Sequence, residues 1–189
     1  MYNIYRFLSK ILMKLLYRVE IINSNNIPKK GKIVICGNHT SVLDAPLVLG
    51  STKRKLSILA KIELSKGLKG LFFKPVDLIY VDRSRKTPEV ITQSVEKLKE
   101  EKAIVLFPEG TTKKPKGTLI EFKMGAVKIA SLSNSEILPF AIVNDYKLFR
   151  KSVKLIYGKP YKLESDDLEY ENKKLKDKVI ELIKENQCK

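Results

Sequence analysis

Between residues 33 and 157 the chain alternates short apolar runs with stretches of helical spacing, and no other feature narrows its possible folds as much. Ile33 to Cys36, Leu56 to Leu59, Leu78 to Val81, Ala103 to Phe107, Ile137 to Val143 and Val153 to Tyr157 have the length and apolar character of buried strands. The sequence predicts helices between them. One opens at Asp44-Ala45-Pro46, where Pro suits the first turn and Asp the positive end of the dipole, and runs to about Leu49. Others cover Ile62 to Lys69, a stretch opening at Thr87-Pro88-Glu89, and Phe122 to Leu132; Leu168, Leu175, Val179, Leu182 and Ile183 mark a terminal amphipathic helix. Strands alternating with helices predict an α/β single domain with a mostly parallel central sheet flanked by helices. The 189 residues are enough for one such core, and neither a repeat nor a linker divides them.

Ahead of this core, Ile4, Phe7, Leu8, Ile11, Leu12, Leu15 and Leu16 recur at helical spacing, with Arg6, Lys10, Lys14 and Arg18 four apart and no acidic residue among them. This predicts an N-terminal amphipathic helix lying on an anionic membrane surface, as a unit of residues 1–22 preceding a domain of residues 23–189. The same apolar face would also serve for packing on the protein's own core. Tyr2, Tyr5, Met13 and Tyr17 widen it beyond a single core stripe and favour the membrane. The longest window without a charged residue, Ile33 to Leu43, has 11 residues, short of the roughly 20 that a membrane span needs. Basic residues recurring through Arg18 interrupt a signal-peptide core. The expected location is peripheral, on the cytoplasmic face of the cell membrane.

Charge narrows the partners. Lys and Arg number 37 against 21 Asp and Glu, a formal net charge of +16, and the excess sits in residues 1–162. An anionic partner is implied: nucleic acid, a membrane surface, a phosphorylated metabolite or an acidic carrier protein. Because 31 of the 37 basic residues are Lys, part of the excess also fits a general lysine bias. Two distant cysteines, Cys36 and Cys188, argue against a disulfide framework, and with a single His they supply no four-ligand zinc set.

That single histidine, His39, is the economical general base at neutral pH. It stands in Asn38-His39-Thr40-Ser41-Val42-Leu43-Asp44, between a strand end and a helix start. On a regular helix a separation of five residues places side chains roughly 140° apart, so only a loop entering a helix brings His39 and Asp44 together. Asp44 would then orient the ring and leave its other nitrogen for a substrate proton. Cys36 lies in an apolar run and reads as core, and Ser41 lacks a nucleophile-elbow sequence. A second constellation, Phe107-Pro108-Glu109-Gly110-Thr111-Thr112 followed by Lys113 and Lys114, comes directly after a strand, where α/β proteins place their sites.

In order along the chain, these blocks resemble the lysophosphatidic acid acyltransferase group (1-acylglycerol-3-phosphate O-acyltransferases) of the glycerolipid acyltransferases. Asn38, His39 and Asp44 match its first motif. Ala60-Lys61 with Glu63-Leu64 and then Ile79 to Arg83 match the second, Phe107 to Thr111 the third, and Ile137-Leu138-Pro139 the fourth; Phe122-Lys123-Met124-Gly125 resembles a further family stretch. The resemblance implies transfer of a fatty acyl group from acyl-CoA or acyl carrier protein to the hydroxyl of a lysophospholipid, 1-acylglycerol-3-phosphate, giving phosphatidic acid. It implies a catalytic pair, His39 and Asp44. It assigns the acceptor phosphate to Lys61, Arg83 and Lys113 or Lys114, and the glycerol pocket to Glu109 and Gly110, with Thr111 in the same substrate-binding loop. No metal or cofactor is expected. The chain departs from the motif at Thr112, where the family carries a phosphate-binding Arg, and at Val76 or Asp77, where it carries Gly. Rival readings are a different lysolipid acceptor, a thioesterase that uses water, and a basic membrane or nucleic-acid binder without catalysis. The paired His39 and Asp44 and the lack of any nucleic-acid signature disfavour the last, and nucleic acid is not an expected partner.

Overall fold

A computed structural model describes residues 1–74, 76–82, 88–151 and 153–187. Among them, strands β1 (Glu20–Ile22), β2 (Ile33–Gly37), β3 (Leu56–Lys61), β4 (Asp77–Val81), β5 (Ala103–Leu106), β6 (Glu136–Val143) and β7 (Lys154–Tyr157) form one sheet of order β1-β7-β6-β2-β5-β3-β4. Every neighbouring pair is parallel except β6 and β7. The expected mostly parallel α/β architecture is therefore the one found. β2 lies between β5 and β6 and is buried along its whole length, which explains why its sequence is continuously apolar rather than alternating.

Two layers cover the sheet. Side chains alternate across β2, so Ile33 and Ile35 enter one core with Leu47, Val48 and Leu49 of α2 (Asp44–Ser51) and Met13 of α1 (Tyr2–Tyr17). Val34 and Cys36 enter the other, with Val90 and Leu98 of α4 (Pro88–Lys99), Val127 and Ile129 of α5 (Gly125–Ser133), and Leu175 and Val179 of α6 (Leu168–Asn186). The Asp167 carboxylate caps α6 by accepting from the Glu169 and Tyr170 amides.

Three local expectations are corrected. Residues 62–69 do not form one helix: a 3-10 turn, Ile62–Ser65, ends at Lys66 in extended backbone, and α3 (Gly67–Phe73) follows. Helix α5 starts at Gly125 rather than Phe122, because the Phe122 carbonyl accepts from Asn172 Nδ2 and the Lys123 amide donates to the Pro108 carbonyl. Residues 20–22 form the edge strand β1, pairing with β7.

The N-terminal helix uses two faces. Met13 is buried, and Tyr2, Tyr5 and Tyr17 pack against the core, with the Tyr2 hydroxyl accepting from the Leu56 amide at 2.7 Å. The residues expected to widen a membrane face thus form the stripe that docks the helix. Gly50 of α2 makes this approach possible: a Cβ there would lie 2.8 Å from the Lys10 nitrogen. Ile4, Phe7, Leu8, Ile11, Leu12 and Leu15 remain exposed on the outer face. Among the described residues, no helix is long and apolar enough to cross a membrane.

Candidate active site

β2 ends at Gly37 and α2 begins at Asp44, and the loop between them folds around the Asp44 carboxylate. Asp44 is fully buried and accepts five hydrogen bonds. Oδ2 receives the Thr40 amide at 2.6 Å, the Ser41 amide at 2.9 Å and His39 Nδ1 at 2.8 Å; Oδ1 receives the Thr40 hydroxyl at 3.1 Å and the Tyr146 hydroxyl at 2.7 Å. A carboxylate in such a shell acts as acceptor only, which places the imidazole hydrogen on Nδ1 and leaves Nε2 as the base. Phe107 stacks on the His39 ring, with centroids 4.1 Å apart and planes 18° from parallel, and Phe140 meets Phe107 edge-on. The ring is thereby fixed in plane as well as in tautomer.

Loop joins loop through Glu109. Its buried carboxylate accepts the His39 amide at 2.7 Å, the Ile120 amide at 3.0 Å and the Lys114 ammonium, itself almost wholly covered. Gly110 follows with φ of 69°, a left-handed conformation that glycine adopts without strain. The His39-Asp44 pair thus stands at the carboxyl ends of the parallel strands β2 and β5, braced by a buried ion pair.

A family model described as acyltransferase matches residues 18–143. The chain belongs to the acyltransferase family. It is 34% identical over 149 residues to a probable 1-acyl-sn-glycerol-3-phosphate acyltransferase of Mycoplasma pneumoniae, covering 75% of this chain and 55% of that protein. It is 30% identical over 158 residues to the 1-acyl-sn-glycerol-3-phosphate acyltransferase of Bacillus subtilis, covering 80% and 77%. The crystal structure of the 1-acyl-sn-glycerophosphate acyltransferase of Thermotoga maritima superposes with a TM-score of 0.78 at 25% identity, over 99% of this chain and 80% of that one. The chain spans about half the length of the Mycoplasma pneumoniae and Borreliella burgdorferi relatives, 55% in each case.

Within this chain, the structure brings His39, Asp44 and Glu109 together and places Gly110 and Thr111 in the same loop system. Lys61 is exposed at the end of β3, and Lys113 is exposed with its amide donating to the Thr111 hydroxyl. Lys114 is committed to Glu109, which leaves Lys113 as the member of that pair exposed to solvent. Arg83 lies outside the described residues.

Sequence reasoning missed Tyr146. It sits 102 residues from Asp44, no motif marks it, and its ring meets Tyr17 of α1 edge-on at 5.4 Å. Burial, then the Asp44 charge and the hydrogen bond to it, push the Tyr146 hydroxyl well above the ordinary tyrosine range, so it stays a donor. Burial likewise pushes the Cys36 thiol up, consistent with a core role. Among the described residues, no group of three His, Cys, Asp or Glu side chains is placed to hold a metal ion.

Proposed function

We propose that this chain transfers a fatty acyl group from an acyl thioester, acyl-CoA or acyl carrier protein, to the free hydroxyl of 1-acylglycerol-3-phosphate, giving phosphatidic acid for phospholipid synthesis. The observation that carries this reading is the 2.8 Å hydrogen bond between His39 Nδ1 and the buried Asp44 carboxylate, on an imidazole ring that stays partly exposed. Relatives named for this activity support the substrate class. A hydroxyl is a weak nucleophile at neutral pH. His39 Nε2 takes its proton as the oxygen attacks the thioester carbon, and the Asp44 carboxylate balances the imidazolium that forms. Collapse of the tetrahedral intermediate breaks the C–S bond, and the departing thiolate takes the proton back from Nε2. No acyl-enzyme forms, and the residues require neither metal nor cofactor.

The remaining assignments belong to the same proposal. Helix α1 holds the protein peripherally on the anionic cytoplasmic face of the membrane, its exposed stripe in the lipid boundary, and residues 23–189 carry the reaction. Lys61, Arg83 and Lys113 contribute positive charge for the acceptor, Gly110 and Thr111 shape its pocket, and nucleic acid is not a partner.

The test is acyl transfer by the purified chain with acyl-CoA and acyl carrier protein donors and a panel of lysolipids, the products read by mass. Phosphatidic acid is expected from lysophosphatidic acid, and His39→Ala should abolish it while leaving the fold intact. Free fatty acid as the sole product, or an active His39→Ala protein, would refute the reading.

A further inference from the structure

The connection from β6 to β7 carries two apolar side chains that the core does not take. Leu148 is 57% exposed and Phe149 63%, side by side on a tight turn in which the Arg150 amide donates to the Lys147 carbonyl. Phe149 has φ of 58°, in the left-handed region that glycine or asparagine enters at little cost and a bulky aromatic enters under strain. A turn whose only task was to reverse the chain would be better served by either of those residues. Helix α1 holds Phe149 in place: its amide donates to the Leu16 carbonyl, one of the last four of the helix and so without an intrahelical partner. The apolar pair is thus fixed beside the last turn of α1, the helix on which Leu12 and Leu15 are exposed too. The same connection reaches the reacting centre. Tyr146, two residues before Leu148, donates to Asp44 and meets Tyr17 of α1 edge-on.

Charge selects the partner. Residues 144–153 hold one carboxylate, Asp145, against Lys147, Arg150 and Lys151, and α1 holds Arg6, Lys10 and Lys14, followed by Arg18, with no acidic residue. Asp145 faces Lys116, and Lys151 faces Glu20 of β1, both at 3.5 Å. Lys14, Arg18 and Arg150 are exposed. A second copy docked symmetrically would set these cations against their own kind. An apolar tip rimmed by cations matches the boundary of an anionic bilayer, with the apolar side chains among the acyl chains and the cations at the headgroups.

We infer that Leu148 and Phe149 form a second lipid-contacting element, which enters an anionic membrane surface beside α1. The inference deepens the peripheral location proposed above and rests on it, though not on α1 as the anchor. It sets Asp44 and His39 close to the surface from which a lysolipid arrives.

The chain contains no tryptophan, so Phe149→Trp places a single fluorophore at the turn. On vesicles of phosphatidylcholine and phosphatidylglycerol its emission should shift to the blue and be quenched by lipids brominated on the acyl chain. Unshifted, unquenched emission from vesicle-bound protein overturns the inference. A blue shift that grows with protein concentration in the absence of lipid assigns the turn to a second copy instead, and overturns it too. Leu148→Ser with Phe149→Asn removes the apolar pair and suits the left-handed backbone, so the unfolding midpoint should equal or exceed that of wild type. Partitioning of this double variant onto the same vesicles should fall by about tenfold or more. Should Leu8→Glu with Leu12→Glu weaken partitioning while the turn variant binds as wild type does, α1 stands as the anchor and the second element falls. The reverse result keeps the turn and removes α1. A wild-type chain that binds no vesicles refutes the peripheral location and this inference together.

Discussion

The His39 amide donates to Glu109 Oε1 at 2.7 Å, so the two motif loops are joined by a buried carboxylate before any substrate arrives. Both oxygens of Glu109 are occupied, one by His39 and the other by Lys114 and Ile120. Three of its roughly four lone-pair sites are thereby taken, so the side chain holds the two loops together and positions the base. Glu109→Gln would turn an amide donor toward the Lys114 ammonium and leave that charge buried and unpaired, a loss of about 3 to 5 kcal/mol for such pairs. Urea unfolding should show a destabilisation of this order, with kcat falling further than KM rises. A stable Gln variant with a raised KM alone would return Glu109 to the acceptor pocket.

Asp44 differs, because it acts on the reaction through His39. Asp44→Asn keeps the size of the side chain but offers a donor where Oδ2 accepts three, so the favoured imidazole tautomer is lost. By analogy with other carboxylate-imidazole pairs, kcat should fall by about a thousandfold or more, with KM for both substrates little changed. Steady-state kinetics on protein of verified fold gives the answer, and a kcat within tenfold of wild type would remove Asp44 from the proton path.

Much of this site was legible in the sequence because motif residues flank strand ends: β2 precedes Asn38 and His39, and β5 precedes Phe107 to Thr111, so the topology had to bring both blocks to one edge. Asn38 shows the limit. Its side chain extends the β2-β6 ladder, Nδ2 donating to the Ile142 carbonyl at 2.8 Å and Oδ1 accepting the Ile142 amide at 2.7 Å. This role depends on a partner 104 residues away, which spacing alone does not reveal. The same holds for Tyr146 on Asp44. Short range set other limits: Glu20–Ile22 is too brief for a period to appear, and the start of α5 is decided by tertiary bonds to Phe122 and Lys123 rather than by local propensity.

Tyr146 yields a prediction about pH. With its pKa raised by burial first and by Asp44 second, the hydroxyl remains protonated and donates to Oδ1 across the working range. The rate profile should therefore show no alkaline inflection at an ordinary tyrosine pKa near 10 that Tyr146→Phe removes. Tyr146→Phe should lower kcat by about tenfold, the loss of one hydrogen bond to a buried charge. An inflection near pH 10 in the wild-type protein, absent from the Phe variant, would contradict the arrangement.

Helix α1 gives the clearest separation of binding from chemistry, since its two faces carry different residues. Tyr2, Tyr5, Met13 and Tyr17 hold it to the protein, and Ile4, Phe7, Leu8, Ile11, Leu12 and Leu15 face outward. Burying a leucine in lipid is worth about 1.5 to 3 kcal/mol, and a nearby lysine adds about 1 kcal/mol toward anionic lipid. Leu8→Glu with Leu12→Glu should therefore reduce partitioning onto vesicles containing phosphatidylglycerol by about a hundredfold or more, in low and high salt alike. Lys10→Gln with Lys14→Gln should weaken it less, and only at low ionic strength, because screening already removes that contribution in high salt. Both pairs alter only exposed side chains and leave the docking stripe in place, so unfolding midpoints and kcat in detergent micelles should stay near wild type. Vesicle binding by the Glu variant equal to that of the wild-type protein would show that the outer face of α1 does not enter the membrane.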